Sequence, residues 1–232
     1  MSGHLSLHPP RGRRRGWLKH CSLFLLGVLA QGIASAQTTT VPPAGAGAAI
    51  LVVGDSLSAE YGISRGSGWV ALLEQRLAQE GRRERVINAS ISGDTTAGGR
   101  SRLPALLRQH QPRWVVIELG GNDALRGLPI ATTRDNLKAM VQAAQATSAQ
   151  VMLVGMQVPP NYGKAYADAF SGVFQEVGRA TGAAVVPFLL KGVADGPKAE
   201  EMFQPDRIHP KEAAHPIMLD NVWPTLKGLL RR

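Results

Sequence analysis

Cysteine is all but missing from this chain: Cys21 is the only one in 232 residues, and it stands just before a short apolar core near the amino terminus. If that segment is removed on export, what remains can hold no disulfide, thiol nucleophile or thiolate metal site. Nor is there an apolar run approaching the roughly 18 residues of a membrane-spanning helix, so no permanent span is expected and the processed protein should be soluble. Aromatic residues make up 5% of the chain and none are interleaved with a basic run, which argues against nucleic acid as a partner. There is no His-x-x-x-His and no paired-carboxylate cluster to suggest a metal. Gly163-Lys164 lacks the upstream glycine of a phosphate-binding loop, and Gly45 and Gly47 precede a strand where the glycines of a dinucleotide loop would follow one. No metal and no organic cofactor is therefore expected.

What the first 36 residues do contain is Arg11, Arg13, Arg14, Arg15 and Lys19, then an apolar core from Leu23 to Ile33, then Ala34-Ser35-Ala36 as a small-residue cleavage site. This predicts an export signal over 1–36, a flexible Thr-, Pro-, Ala- and Gly-rich lead-in over 37–47, and one domain over 48–232. Arg14-Arg15 also fits a twin-arginine signal. A protein needing no cytoplasmic cofactor has no evident reason to fold before export, so the general secretory route is favoured, with a periplasmic or secreted product. The formal net charge is +9, and removing the five basic residues of the signal leaves +4, an ordinary value. No repeat or composition shift divides the body, so one domain is expected, and the protein is expected to be a monomer.

The body alternates buried strands with amphipathic helices. Apolar, β-branched runs at 49–53, 86–89, 114–119, 151–155 and 183–188 predict five strands of a parallel sheet. Between them, Trp69, Leu72, Leu73 and Leu77, then Leu103, Leu106 and Leu107, then Leu137, Met140, Val141 and Ala144, then Phe170, Val173, Phe174 and Val177 recur at helical spacing. A last helix is predicted over roughly 211–230, with Pro210 near its start. Strict alternation implies right-handed crossovers and a three-layer α/β/α sandwich. Strand order is not legible from pattern.

Chemistry-bearing residues collect at the carboxyl ends of the predicted strands, where open α/β sheets bind ligands. The first strand stops at Gly54-Asp55-Ser56-Leu57-Ser58, a sharp turn that would present the Ser56 hydroxyl. A serine needs a base, and that base needs an orienter. Of the histidines beyond the signal, His110 reads as a solvated helix-end residue and His215 as a capping or partly buried one. His209 follows Asp206 by three residues, a spacing that lets the carboxylate approach Nδ1 and leaves Nε2 for the Ser56 proton. For an oxyanion the candidate donors are the backbone N–H groups of Ser56 and Gly93 and the side-chain amide of Asn122, with Gly120 and Gly121 allowing close backbone approach. Asp55 and Asp123 read as structural, accepting from loop N–H groups. No Gly-x-Ser-x-Gly elbow surrounds Ser56, which argues against an ordinary α/β-hydrolase.

Four blocks, Gly54-Asp55-Ser56-Leu57-Ser58, the glycine of Asn88-Ala89-Ser90-Ile91-Ser92-Gly93, Gly120-Gly121-Asn122-Asp123, and Asp206-x-x-His209, together resemble the GDSL, or SGNH, family of serine hydrolases. The likeness covers almost everything after residue 48. It is closest to the bacterial multifunctional thioesterase I, lysophospholipase and arylesterase branch, through Leu119 to Asp123 followed by Leu125-Arg126-Gly127, and through Pro160-Asn161-Tyr162-Gly163. The resemblance implies a flavodoxin-like five-stranded sheet, a Ser56, His209, Asp206 triad and the same three oxyanion donors. It implies an ester, thioester or lysophospholipid substrate. Leu125, Leu128, Val158 and Pro160 near the site, with Leu57, Met156, Pro159 and Tyr162 as the expected substrate-binding residues, favour acyl chains over the acetylated sugars of a carbohydrate acetylesterase. A non-catalytic binding module would need no such complete set.

Overall fold

β-Branched and leucine side chains with no polar partner need burial, and in the computed structural model the central strands of a five-stranded parallel sheet achieve it on both faces. The structure describes residues 47–231; the expected signal, Cys21 and the lead-in up to residue 46 lie outside the described residues. The strands are β1 (Ala49–Gly54), β2 (Arg85–Asn88), β3 (Trp114–Glu118), β4 (Gln150–Val154) and β5 (Ala184–Val186). All four pairings are parallel and the order is β2-β1-β3-β4-β5, the flavodoxin-like order. β1 and β3 form the fully buried centre, and Gly54 pairs with Glu118 where both strands end.

The helices are α1 (Trp69–Gln79), α2 (Thr96–His110), α3 (Gly121–Leu125), α4 (Ile130–Gln145), α5 (Lys164–Thr181), α6 (Ala199–Met202) and α7 (His215–Leu230). Each predicted apolar stripe faces the core: Trp69, Leu73 and Leu77, then Leu103 and Leu107, then Leu137, Met140 and Val141, then Phe170, Val173 and Phe174 are buried. α1 packs on α7, while α2, α4 and α5 pack in a row. The sheet is thus covered on both sides. Among the described residues no helix is long and apolar enough to cross a membrane.

β1 to β4 depart from the predicted runs by a single residue at one or both ends, and larger differences lie elsewhere. β5 is shorter than 183–188, since Pro187, with no N–H to give, follows directly on its last residue. The last helix begins at His215 rather than 211, because Lys211 is extended and a 3₁₀ turn (Glu212–Ala214) intervenes. Pro210 accordingly does not start it, but pairs with Phe203 in an isolated bridge. The short α3 was not foreseen, because the polar Gly120–Asp123 cluster carries no apolar period.

Candidate active site

β1 and β3 lead to opposite sides of the sheet, so their carboxyl ends open a crevice at the point where strand order reverses. The turn after β1 carries Ser56 into it, half-buried. Asp55 shapes the turn from within: its carbonyl accepts the N–H groups of Ser58 (3.2 Å) and Ala59 (2.9 Å), and its Oδ1 accepts that of Leu57 (3.0 Å). Gly54 has to be glycine here. A Cβ on it would lie 2.7 Å from Ser58 Oγ and 2.9 Å from Glu118 Oε2.

Residues 204–210 form the facing wall. The Gln204 N–H donates to His209 O (2.8 Å) and the Arg207 N–H to Gln204 O (2.9 Å), which closes a tight loop. Arg207 takes a left-handed conformation, φ 58°, to make that closure. Asp206 Oδ1 then accepts the N–H groups of Ile208 (2.9 Å) and His209 (3.0 Å), while Oδ2 lies 2.6 Å from His209 Nδ1. On the ring's other side, His209 Nε2 is 2.9 Å from Ser56 Oγ. The three side chains stand in one hydrogen-bonded row. Desolvation pushes the Asp206 carboxyl up, but the bonds from the His209 backbone, the His209 ring and the Ile208 backbone together outweigh it and hold the group at about 2. Tyr61 packs against the imidazole, ring centroids 4.3 Å apart, and Gln204 Nε2 donates to both Tyr61 O and Pro210 O, tying the Ser56 loop to the His209 loop.

The third wall carries the candidate donors. Among the described residues the backbone N–H groups of Ser56 and Gly93 have no protein acceptor. Gly93 is needed for its φ of 77° rather than for space, since a Cβ there would meet only Arg126 at 3.7 Å. Gly120 likewise has φ 123°, whereas a Cβ on Gly121 would make only an ordinary 3.6 Å contact, so close approach does not demand that glycine. Asn122, in the first turn of α3, donates through Nδ2 to Asp55 Oδ2 (3.0 Å), which leaves the second amide hydrogen free. Burial pushes the Asp55 carboxyl up to about 6, against the pull of the Leu57 N–H, the Asn122 amide and nearby His209.

The other candidates settle into structural positions. His110 ends α2 at the far edge of the sheet. His215 is buried and accepts the Trp69 N–H on Nδ1 (3.0 Å), so it caps α1 from the start of α7. Asp123 is buried and accepts from the Thr96 N–H (2.8 Å), Thr96 Oγ1 and Thr133 Oγ1 (3.4 Å), locking α2 and α4 to the loop. Leu57 and Met156 are core residues, 6% and 7% exposed, whereas Pro159 and Tyr162 lie at the surface. Among the described residues no three acidic, histidine or cysteine side chains gather where a metal could sit.

Five residues around the site were assigned no role there from sequence. Arg126 donates to Gly93 O (2.8 Å), joining the loops after β2 and β3, and Tyr61 backs His209. Trp69 donates to Ser58 Oγ (3.1 Å), and Ser58 donates to Glu118 Oε2 (2.7 Å). A charged residue closing the apolar run Trp114–Ile117 was the one available signal for Glu118.

Residues 52–217 match the GDSL-like lipase/acylhydrolase family. The esterase TesA of Pseudomonas aeruginosa is 56% identical over 181 residues, covering 78% of this chain and 89% of that protein. Thioesterase 1/protease 1/lysophospholipase L1 of Escherichia coli K12 is 42% identical over 171 residues, 74% of this chain and 79% of its own length. A crystal structure of the psychrotrophic esterase EstA from Pseudoalteromonas, inhibited by monoethylphosphonate, superposes with a TM-score of 0.75 at 38% identity, covering 80% of this chain and all of that one. The strand order, the four sequence blocks and these likenesses agree: the chain belongs to the GDSL-like lipase/acylhydrolase family and is a carboxylic ester hydrolase.

Proposed function

We propose that Ser56 is the nucleophile, His209 its base and Asp206 the orienter in the hydrolysis of acyl esters and thioesters. The row Ser56 Oγ, His209 Nε2, Nδ1, Asp206 Oδ2, at 2.9 and 2.6 Å, is the observation that carries this reading. With Nδ1–H donating to Asp206, Nε2 presents its lone pair to the serine. Oγ bonds to the substrate carbonyl carbon as Nε2 takes its proton, and the C=O electron pair moves onto oxygen. The N–H groups of Ser56 and Gly93 and the free hydrogen of Asn122 receive that oxyanion. Its collapse expels the alkoxide or thiolate, which takes the proton from His209. Water, deprotonated by the same imidazole, then releases the acid and restores Ser56. The phosphonate-inhibited relative supports a serine nucleophile of this kind.

An acyl substrate fits the surface. The large apolar side chains that remain exposed, Tyr61, Ile91, Leu125, Tyr162 and Ile208, come one each from the segments after β1, β2, β3 and β4 and from the His209 loop. An apolar rim at the carboxyl edge suits fatty acyl chains better than acetylated sugars. The test is turnover of p-nitrophenyl esters. Ser56→Ala should lower kcat by on the order of 10⁴ or more while the fold is retained, and a fluorophosphonate should label Ser56. Retained turnover, or label on another residue, overturns the assignment. Residues 1–36 are read as an export signal that delivers the enzyme to the periplasm or medium; the exported protein should begin at Gln37, and a mature chain that keeps Cys21 contradicts this.

A further inference from the structure

The buried end of β3 holds a group that the reaction does not use. Glu118 is 0% exposed, yet among the described residues no cation pairs with it. Its Oε2 accepts the Ser58 hydroxyl at 2.7 Å and the Asp55 N–H at 3.4 Å. Its Oε1 has no hydrogen-bond partner among the described residues. Ser58 Oγ, in turn, accepts the Trp69 indole N–H, so its single hydrogen is committed to Glu118. An ionised carboxylate in such a place would have lost its water for two donors and no counter-charge, a poor exchange. Burial, and the neighbouring Asp55 carboxyl, both push Glu118 well above the usual carboxylate range. Of two interacting carboxyls one keeps its proton, and Glu118 is the one that is wholly buried with an oxygen left without a hydrogen-bond partner.

The contacts of Glu118 reach both ends of the turn that presents Ser56. The Asp55 amide lies immediately before the nucleophile and the Ser58 hydroxyl two residues after it, while Gly54 leaves the room in which the two side chains meet. Ser58 is fixed again from outside by Asn88 Nδ2, which donates to its carbonyl at 2.7 Å. On the reading that Ser56 is the nucleophile, we propose that Glu118 is a positioning residue for it, a neutral carboxylic acid that grips the Asp55–Ser58 turn from the sheet side. It touches neither substrate nor reacting atoms. What it supplies is a rigid relay, Trp69 to Ser58 to Glu118, that keeps Ser56 Oγ at bonding distance from His209.

Four variants and one spectrum test this. Glu118→Ala removes both bonds and should lower kcat for p-nitrophenyl acetate about 10²-fold with KM changed less than about twofold, since a misplaced nucleophile weakens the chemical step rather than binding. Glu118→Gln keeps an acceptor, adds no charge and should restore most of that loss, with the pH profile of the wild type. Ser58→Ala should lose nearly as much as Glu118→Ala, and the double variant little more than either, because both cut one relay. The infrared spectrum at pH 8, where Asp55 is ionised, should show a protonated-carboxyl C=O band that Glu118→Gln abolishes. If Glu118→Gln is as impaired as Glu118→Ala, the anion is required and the neutral acid is wrong. If Glu118→Ala lowers only the melting temperature and its folded fraction keeps normal kcat, the role is structural. Should Glu118→Ala fail to fold, Ser58→Ala and the infrared band still decide. Failure of the nucleophile assignment shows separately, as turnover surviving in Ser56→Ala.

Discussion

Two aspartates flank Ser56, and their surroundings drive them in opposite directions. Asp206 lies on an open turn, its side chain 39% exposed, and is held at about 2. Asp55 immediately precedes Ser56, is 2% exposed and sits at about 6. The exposed acid has the richer hydrogen bonding: two backbone N–H groups and an imidazole, against one backbone N–H and one amide for the buried one. Charge at each site follows the balance between water lost and donors gained, not the residue type. The consequence is a division of labour in which Asp206 stays anionic, able to steady an imidazolium, while Asp55 changes state within reach of physiological pH.

Replacing Asp206 by asparagine breaks the exposed side of the contrast and should have the largest effect. Its carbonyl oxygen would still accept from Ile208 and His209, which forces the amide NH₂ toward Nδ1. The imidazole would then carry its hydrogen on Nε2 and could not take the Ser56 proton. kcat should fall on the order of 10⁴-fold at neutral pH, with the protein folded. A loss under tenfold would mean that the carboxylate does not set the tautomer. The stability of the wild type should respond too. A carboxyl depressed from 3.8 to about 2 stabilises the fold above pH 4 and loses that contribution as pH falls through 2, so the melting-temperature gap between wild type and Asp206→Asn should close over that interval.

Asn122 connects the two sides, and its removal should cost less. An oxyanion donor and a loop former would make opposite forecasts for stability. The structure gives the amide two hydrogens, one on Asp55 and one free. Asn122→Ala should therefore lower kcat by about 10² to 10³ with little change in KM. It should also lower the melting temperature at pH 8, where Asp55 is ionised and loses a donor, and less so at pH 5. A destabilised variant whose folded fraction keeps near-normal kcat removes Asn122 from the oxyanion site.

Much of this was legible in the chain. Five β-branched runs and four apolar stripes located the sheet and its helices, because period and burial are written directly in side-chain chemistry. Ser56, Asp206 and His209 stood out because each ends or follows a strand or turn signal. Strand order came only with the family resemblance, since nothing in Val86 or Val151 says which neighbour each will pair with. Glu118 was invisible as a partner of Ser58 because that contact spans 60 positions and depends on Gly54 pairing opposite it. Burial around the site was not legible for a related reason: Leu57 and Met156 are apolar and near the site in sequence, but the segments after β1 and β4 place them in the core, while Ile91 and Ile208 are left outside.

The smallest effect sharpens the buried side of the comparison. In Asp55→Asn the side-chain oxygen can still accept the Leu57 N–H, but an amide nitrogen then meets the Asn122 amide where a carboxylate oxygen had been. Asn122 must turn, and kcat should drop about tenfold. Stability should move the other way. Because the Asp55 carboxyl is raised from 3.8 to about 6, the folded state carries the full penalty of an ionised buried group above pH 6, and that penalty disappears as pH falls toward 3.8. The asparagine carries none of it. Relative to wild type, then, the variant's melting temperature should be most favourable at pH 8, and that advantage should shrink by roughly 5 °C between pH 8 and pH 4. Melting curves of the two proteins in parallel across that range decide it. A difference that stays flat, or that grows on acidification, would mean that burial does not hold Asp55 near 6 and that the two aspartates beside Ser56 are charged alike.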